Sequence, residues 1–285
     1  MTSLARYETA FRRIVHELRP YLDDLVIIGG WVPSLYRRYG GFATWAVGTS
    51  LTAEVDVLID HPFPPAGRPT IPEILRNAGF RPTSGQGGLA VWEGDIRAGE
   101  MIEFLVPHQG TARGEGAVVR VPDQSGMGAI PLGGLELMRR YKQRLRIPIA
   151  TAEGSTDLEI WVPTLGAYVV NKASTYARRQ EHQAGGNPKR AKDLLYLRDL
   201  MAAGAEVVDR IESDLAAIVR DQGKQQVRDA RNTLYLAIGG AHERLLPEVA
   251  RMLVEREPGF PVDAALADIR GRLTDLVEIL KEISK

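Results

Sequence analysis

Thr52-Ala53-Glu54-Val55-Asp56-Val57-Leu58-Ile59 is the stretch on which the reading of this chain turns. Val55, Val57 and Ile59 alternate with Glu54 and Asp56. That is the two-residue period of a strand, so both carboxylates leave one face and the apolar side chains leave the other. Two carboxylates side by side on an otherwise apolar strand repel each other and lose hydration. A divalent cation relieves both costs. Oxygen ligands select Mg²⁺ or Mn²⁺, and two such ions can clamp an in-line phosphoryl displacement. The plain alternative is a strand at the sheet margin with its acids in water.

Two neighbouring segments favour the metal reading. Met101-Ile102-Glu103-Phe104-Leu105-Val106 is a second apolar strand with an acid inside it. Paired beside residues 53–59, it brings Glu103 in as a third carboxylate. Gly29-Gly30 follows the apolar run Leu25–Ile28 and precedes a short helix with Val32, Leu35, Tyr36 and Tyr39 turned inward. Glycines at such a junction let a phosphate approach free backbone N–H groups at a helix start. No G-K-[ST] follows, so this is not a Walker A loop, and the spacing is not that of a dinucleotide fingerprint.

Short strands mixed with helices, extended at 89–92, 101–106, 117–121, 145–149 and 158–162, point to an α/β (α+β) domain over residues 1–163. It opens with a helical stripe over 4–18 stopped by Pro20, and carries a short helix at 72–78. A mainly helical region follows over 164–285. There Thr164 caps a helix, and Asn187-Pro188 starts another that runs to about Met201. Further helices are expected at 205–220, 224–238, 242–256 and 261–283. Lys172 falls on the first of these helices. Lys189, Lys192, Asp193 and Tyr196 share one face of the second. Residues 135–200 hold twelve Lys and Arg against seven Asp and Glu, a local surplus that suits a triphosphate or polyanion and equally a solvated helix face.

Composition narrows the classes. The chain has 285 residues, no cysteine, and 36 basic residues balanced by 36 acidic ones. Thiolate catalysis, Cys-ligated metals and disulfides are excluded. Zero net charge argues against coating nucleic acid by bulk electrostatics, while leaving room for a local basic groove. Neither a signal-peptide core nor an apolar run of spanning length is present, so a soluble, cytoplasmic protein with no membrane partner is expected.

With these residues in hand, the chain resembles the polymerase-β-type nucleotidyltransferase superfamily, nearest to the minimal branch that includes AbiEii and MenT toxin-like proteins. Ile27-Ile28-Gly29-Gly30-Trp31 matches the strand–glycine–helix motif. Thr52, Glu54 and Asp56 match the Thr and acid-x-acid strand, and Glu103 matches the third acid. Lys172 with Lys192-Asp193 resembles the lysine helix and Lys-Asp helix of the toxin-like branch. The match covers about residues 23–201. It departs in having Glu54 where an aspartate is usual, and in the long spacing from Gly30 to Glu54, whose insert over 39–48 reads as a lid or an ornament.

The resemblance implies the fold, a mixed β-sheet flanked by helices, and a metal-dependent transfer of a nucleoside monophosphate from an NTP with release of pyrophosphate. Glu54, Asp56 and Glu103 would hold Mg²⁺ or Mn²⁺. Gly29 and Gly30 would bind the β- and γ-phosphates. Lys172, with Lys189 and Lys192, would offset phosphate charge, and Asp193 would orient Lys192 or Lys189. The acceptor is a hydroxyl or phosphate on tRNA, on a small molecule or on a protein. Residues 202–285 would complete the acceptor site or an oligomer interface. Two other functions stand beside this one: a non-catalytic member that binds nucleotide or a protein partner, and an unrelated metal-dependent nuclease or phosphohydrolase.

Other residues carry plainer expectations. His16, His61, His108, His182 and His242 show no ligand spacing, although His108 follows the Glu103 strand closely enough to reach a cleft. Trp31 is read as core packing, with stacking on a base as the alternative; Trp45 is weighed in the same way as part of a lid. Trp92 and Trp161 read as strand packing. Asp60 reads as a strand terminator, and Arg37 and Arg38 as solvated surface.

Overall fold

A computed structural model describes residues 3–50, 52–59, 67–83, 88–108, 117–151, 154–178 and 186–285. Asp60, His61 and His182 lie outside the described residues. The chain forms two compact units. One comprises Met1–Gly40 with Leu51–Pro163, and the other Gly41–Ser50 with Thr164–Lys285.

The first unit is built on a mixed sheet. Its elements are α1 (Ser3–Glu17), β1 (Leu25–Ile28), α2 (Val32–Tyr39), β2 (Glu54–Ile59), α3 (Ile71–Asn77), β3 (Arg81–Pro82), β4 (Val91–Glu93), β5 (Met101–Pro107), β6 (Val119–Arg120), β7 (Gly128–Leu132), α4 (Leu135–Arg140), β8 (Lys142–Thr151) and β9 (Gly154–Pro163). The strands of this nine-stranded sheet run β3-β4-β5-β2-β1-β9-β8, with β7 added to β5 and β6 to β7. β2 pairs antiparallel with β1 and parallel with β5. β9 runs parallel to β1, and β8 closes the edge as a long hairpin with β9.

The middle of the sheet follows from its apolar content. All four residues of β1 are buried, as expected for a strand covered on both faces. β2 keeps Glu54 and Asp56 half-buried and then buries Val57, Leu58 and Ile59 in succession. Ala10, Phe11, Ile14 and Val15 form the buried stripe of α1, continued by Leu18. Polar ties hold helices to the sheet. Arg13 on α1 donates to both carboxylate oxygens of the buried Glu100, just ahead of β5. The Tyr36 hydroxyl on α2 donates to the Pro163 carbonyl at the end of β9, at 2.8 Å. Thr70 caps α3 through a reciprocal box with Glu73.

The second unit is helical: α5 (Leu165–Arg178), α6 (Gly186–Ala202), α7 (Ala205–Ile218), α8 (Lys224–Gly239), α9 (Leu246–Arg256) and α10 (Val262–Ile283). Thr164 accepts from the Ala167 N–H at 3.4 Å, the cap its sequence position suggests. Helix α6 starts at Gly186, one residue ahead of Asn187. Segment 41–50 has no regular structure and is fixed to these helices by polar contacts. Ala46 N–H donates to Ala203 O at 2.8 Å, Ala43 N–H to Glu206 at 2.9 Å, and Arg256 to Ser50 Oγ at 3.0 Å. Arg256 also grips both oxygens of Asp199, which is fully buried; burial pushes the Asp199 carboxyl up, against the pull of Arg256 and Arg198. Among the described residues no helix is long and apolar enough to cross a membrane.

Candidate active site

The site forms on three strands of the first unit that pair side by side in the order β5-β2-β1. Ile28, the last residue of β1, pairs with Asp56 of β2, and Asp56 pairs on its other side with Glu103 of β5. Residues opposed in a sheet project from the same face, and so do residues two apart on a strand. Glu54, Asp56 and Glu103 therefore share a face. Each is half-buried, and one carboxylate oxygen from each lies within 4.8 Å of the others. The longer Glu54 side chain still brings its carboxylate into the group.

Immediately after Ile28 the chain turns through Gly29–Trp31, a single tight turn that leads into α2. Gly29 has φ +70°, a left-handed conformation that L side chains rarely adopt. A Cβ placed on Gly29 would lie 1.7 Å from Asp56 Oδ2 and 2.6 Å from Asp56 Cγ. The glycine is thus required twice, by the turn and by the carboxylate seated against its backbone. The sequence signals a close approach here; the structure shows that Asp56 itself makes one.

The donor set fits a hard divalent cation. It is all oxygen, with no His or Cys, as Mg²⁺ and Mn²⁺ prefer. Around one Mg²⁺ opposed oxygens lie about 4.2 Å apart and neighbouring ones about 3 Å, so side chains spread over 4.8 Å would draw in to hold it.

Other sequence candidates sit as follows. Lys172 and Asp193, both buried in the helical unit, form an ion pair at 2.7 Å. Lys172 also lies over the rings of Tyr168 and Tyr196, at 5.6 and 5.4 Å. Asp193, which the resemblance places beside Lys192 or Lys189, pairs with Lys172 on α5, 21 residues away. On α6, Lys189 is exposed and Lys192 half-buried, 5.9 Å from the Tyr196 ring. Breaking the buried pair has a predictable result: Asp193→Ala leaves the Lys172 ammonium buried without its carboxylate and should cost about 3 kcal/mol or more. Lys172→Met/Asp193→Leu should cost far less. Urea unfolding of the two variants checks this, and equal losses would contradict it.

His108 does not reach the triad. It follows the far end of β5, five residues beyond Glu103, which in extended chain is about 16 Å away. Trp31 is core: it is 3% exposed and stacks on Phe11 with ring centroids 4.4 Å apart. Trp45 belongs to segment 41–50 and meets Phe42 edge-on at 5.7 Å. Arg38 pairs with Glu8, which lowers the Glu8 carboxyl, and Arg37 is exposed. Trp92 is fully buried, as expected for strand packing. Trp161 is not: it is half-buried on the outer side of the β8–β9 hairpin.

Neither a curated protein nor a solved structure matches the chain. A family model described as nucleotidyltransferase matches residues 11–220. That span contains the turn at Gly29, all three carboxylates and the Lys172–Asp193 pair, and it covers well over half the chain. The chain therefore belongs to a nucleotidyltransferase family.

Proposed function

We propose that this protein is a Mg²⁺- or Mn²⁺-dependent enzyme that moves a nucleoside monophosphate from an NTP to an acceptor, releasing pyrophosphate. The observation that carries the reading is the convergence of Glu54, Asp56 and Glu103 within 4.8 Å beside the Gly29 turn. These three carboxylates would hold the metal, which when bound would neutralise charge on the triphosphate and acidify the acceptor hydroxyl. The backbone N–H groups of Gly29, Gly30 and the start of α2 bind phosphate oxygens. In the reaction a bond forms between the acceptor oxygen and the α-phosphorus. The bond from that phosphorus to the β-phosphate oxygen breaks, pyrophosphate leaves, and the hydroxyl proton passes to a carboxylate of the triad. Lys172, Lys189 and Lys192 are assigned the cationic share of nucleotide binding that the resemblance implies. The Lys172–Asp193 pair supports the toxin-like branch.

The test uses each α-³²P-labelled NTP with Mg²⁺ or Mn²⁺, offered with total tRNA, cell extract or small hydroxylated acceptors. The expected result is label on an acceptor with one pyrophosphate per label. Inorganic phosphate released without label transfer would move the protein to the phosphohydrolases. Tight Mg-NTP binding without transfer to any acceptor would make it a binding member of the fold.

A further inference from the structure

The outer face of the β8–β9 hairpin is unexplained by the proposed metal site. Arg139, Arg140, Lys142, Arg144 and Arg146 place five cations within eight residues. On β8 the strand period sorts them: Leu145, Ile147 and Ile149 are buried, while Arg144 and Arg146 are 45% and 69% exposed. On β9, Ile160 and Val162 are buried, and Trp161 shares the outer face with Glu159. The indole is flanked by Lys142 at 4.9 Å and Arg144 at 4.7 Å. Arg144 is held in place by Asp23 at 2.8 Å and Glu159 at 2.7 Å.

Sheet register relates this face to the triad. Val26 pairs with Leu58 of β2 and with Trp161 of β9, and Trp161 pairs with Arg144. Leu58 has the parity of Glu54 and Asp56. Paired residues share a face, so the indole and the β8 cations lie on the carboxylate side of the sheet. Lys142 pairs with Pro163, two residues beyond Trp161 on β9. That shift runs toward Ile28, the residue opposite Asp56. Lys142 thus stands level with the triad, three strand spacings or about 14 Å across the sheet. Acids share the face: Glu159 stands opposite Arg146, 3.7 Å from its guanidinium, Asp157 lies nearer the hairpin tip, and Glu136 pairs with Arg139 on α4.

We propose that this face binds a single-stranded polynucleotide, with a base stacked on the Trp161–Arg144 pair and phosphates on Arg140, Lys142 and Arg146. An aromatic platform interleaved with cations is what backbone-plus-stacking recognition of single strands requires. The covered strand β1 separates this face from the carboxylates, so its occupant is not fixed by the transfer reaction. Charged side chains also protect an exposed edge strand from pairing with another chain. Edge protection alone asks for no indole between two cations.

The experiment measures binding of a fluorescein-labelled 20-nucleotide RNA, and DNA of the same sequence, by fluorescence anisotropy over a range of salt. It uses wild type, Arg140→Ala/Lys142→Ala, Trp161→Ala and Asp56→Asn. The double variant, which leaves the Arg144 pairs intact, should bind at least about tenfold more weakly, with its salt slope reduced by about 1.4. Trp161→Ala should lose about fivefold or more. Circular dichroism and thermal unfolding verify that each variant is folded, and Lys142→Gln replaces the double variant if it is not. Asp56→Asn should bind as wild type does, so binding is judged separately from transfer. Absent binding by wild type, or equal binding by the hairpin variants, overturns the proposal. So does a result in which Trp161→Ala is silent and heparin competes as well as RNA, which would mark a surface for any polyanion. Binding that fails only in Asp56→Asn assigns the strand to the triad instead. RNA binding supports the hairpin site whether or not the RNA end is labelled, because the transfer reading is tested by its own acceptors.

Discussion

Asp56→Asn is expected to lower nucleotidyl transfer by at least about a thousandfold, or about 4 kcal/mol of transition-state stabilisation, without unfolding the protein. Asp56 is the middle member of the triad: it pairs with Ile28 on one side and Glu103 on the other, and its carboxylate rests against Gly29. Asparagine keeps the shape of that side chain, so the strand register and the Gly29 contact survive. What disappears is a negative charge and a strong oxygen ligand. The same change predicts an opposite effect on stability in chelator. Three carboxylates within 4.8 Å repel one another when no cation is present. Removing one of them should leave the melting temperature in EDTA equal to or above that of wild type, while the rise produced by added Mg²⁺ shrinks. Steady-state transfer assays and paired melts with EDTA and Mg²⁺ check both halves. Transfer within tenfold of wild type would remove Asp56 from the chemistry. A lower melting temperature in EDTA would mean that its carboxylate is structural.

The triad illustrates what a sequence discloses and what it withholds. Alternation along residues 54–59 is a local signal, and it is enough to put Glu54 and Asp56 on one face. That Glu103 stands directly opposite Asp56 is a matter of register, set by tertiary packing between segments 47 residues apart in the chain. Proximity in sequence misleads in the other direction for His108: it follows the acid closely, but an extended strand carries it away. Strand β7 is missed because Gly128 and Pro131 weaken the strand signal; it gains its place by pairing with the end of β5 beyond the reach of β4. Segment 41–50 has no periodicity to read, since its contacts are backbone and side-chain hydrogen bonds to Ala203, Glu206 and Arg256. The Lys172–Asp193 pair joins α5, whose apolar stripe is legible, to α6, which is buried on nearly all sides from Arg190 to Ala202 and so shows no stripe that would fix its rotation. Trp161 reads as strand packing because an aromatic in a strand usually is; it is half-buried instead, with Lys142 and Arg144 of β8 beside its ring.

Gly29→Ala should be more damaging than its single added methyl suggests, abolishing transfer and destabilising the fold by about 3 kcal/mol. Two independent costs add. At φ +70° an alanine is strained in the left-handed region. Its Cβ would also overlap Asp56 Oδ2 at 1.7 Å, a distance no rotation of the methyl can relieve. Something must move. If Asp56 swings away, the triad loses its central ligand and the Mg²⁺-dependent rise in melting temperature goes with it. If the turn moves, Ile28 slips from its pairing with Asp56 and the start of α2 shifts. Both routes end in lost activity, and they are separable by measurement. A variant that still melts cooperatively near the wild-type temperature, yet no longer responds to Mg²⁺, has displaced the carboxylate. A variant with a large drop in melting temperature has displaced the turn. Combining Gly29→Ala with Asp56→Gly tells the two costs apart, because it removes the overlap and keeps the backbone strain. The double variant should recover part of the lost stability and none of the transfer. Equal stability of Gly29→Ala and wild type, with transfer retained, would show that neither the turn conformation nor the seat of the Asp56 carboxylate is as described.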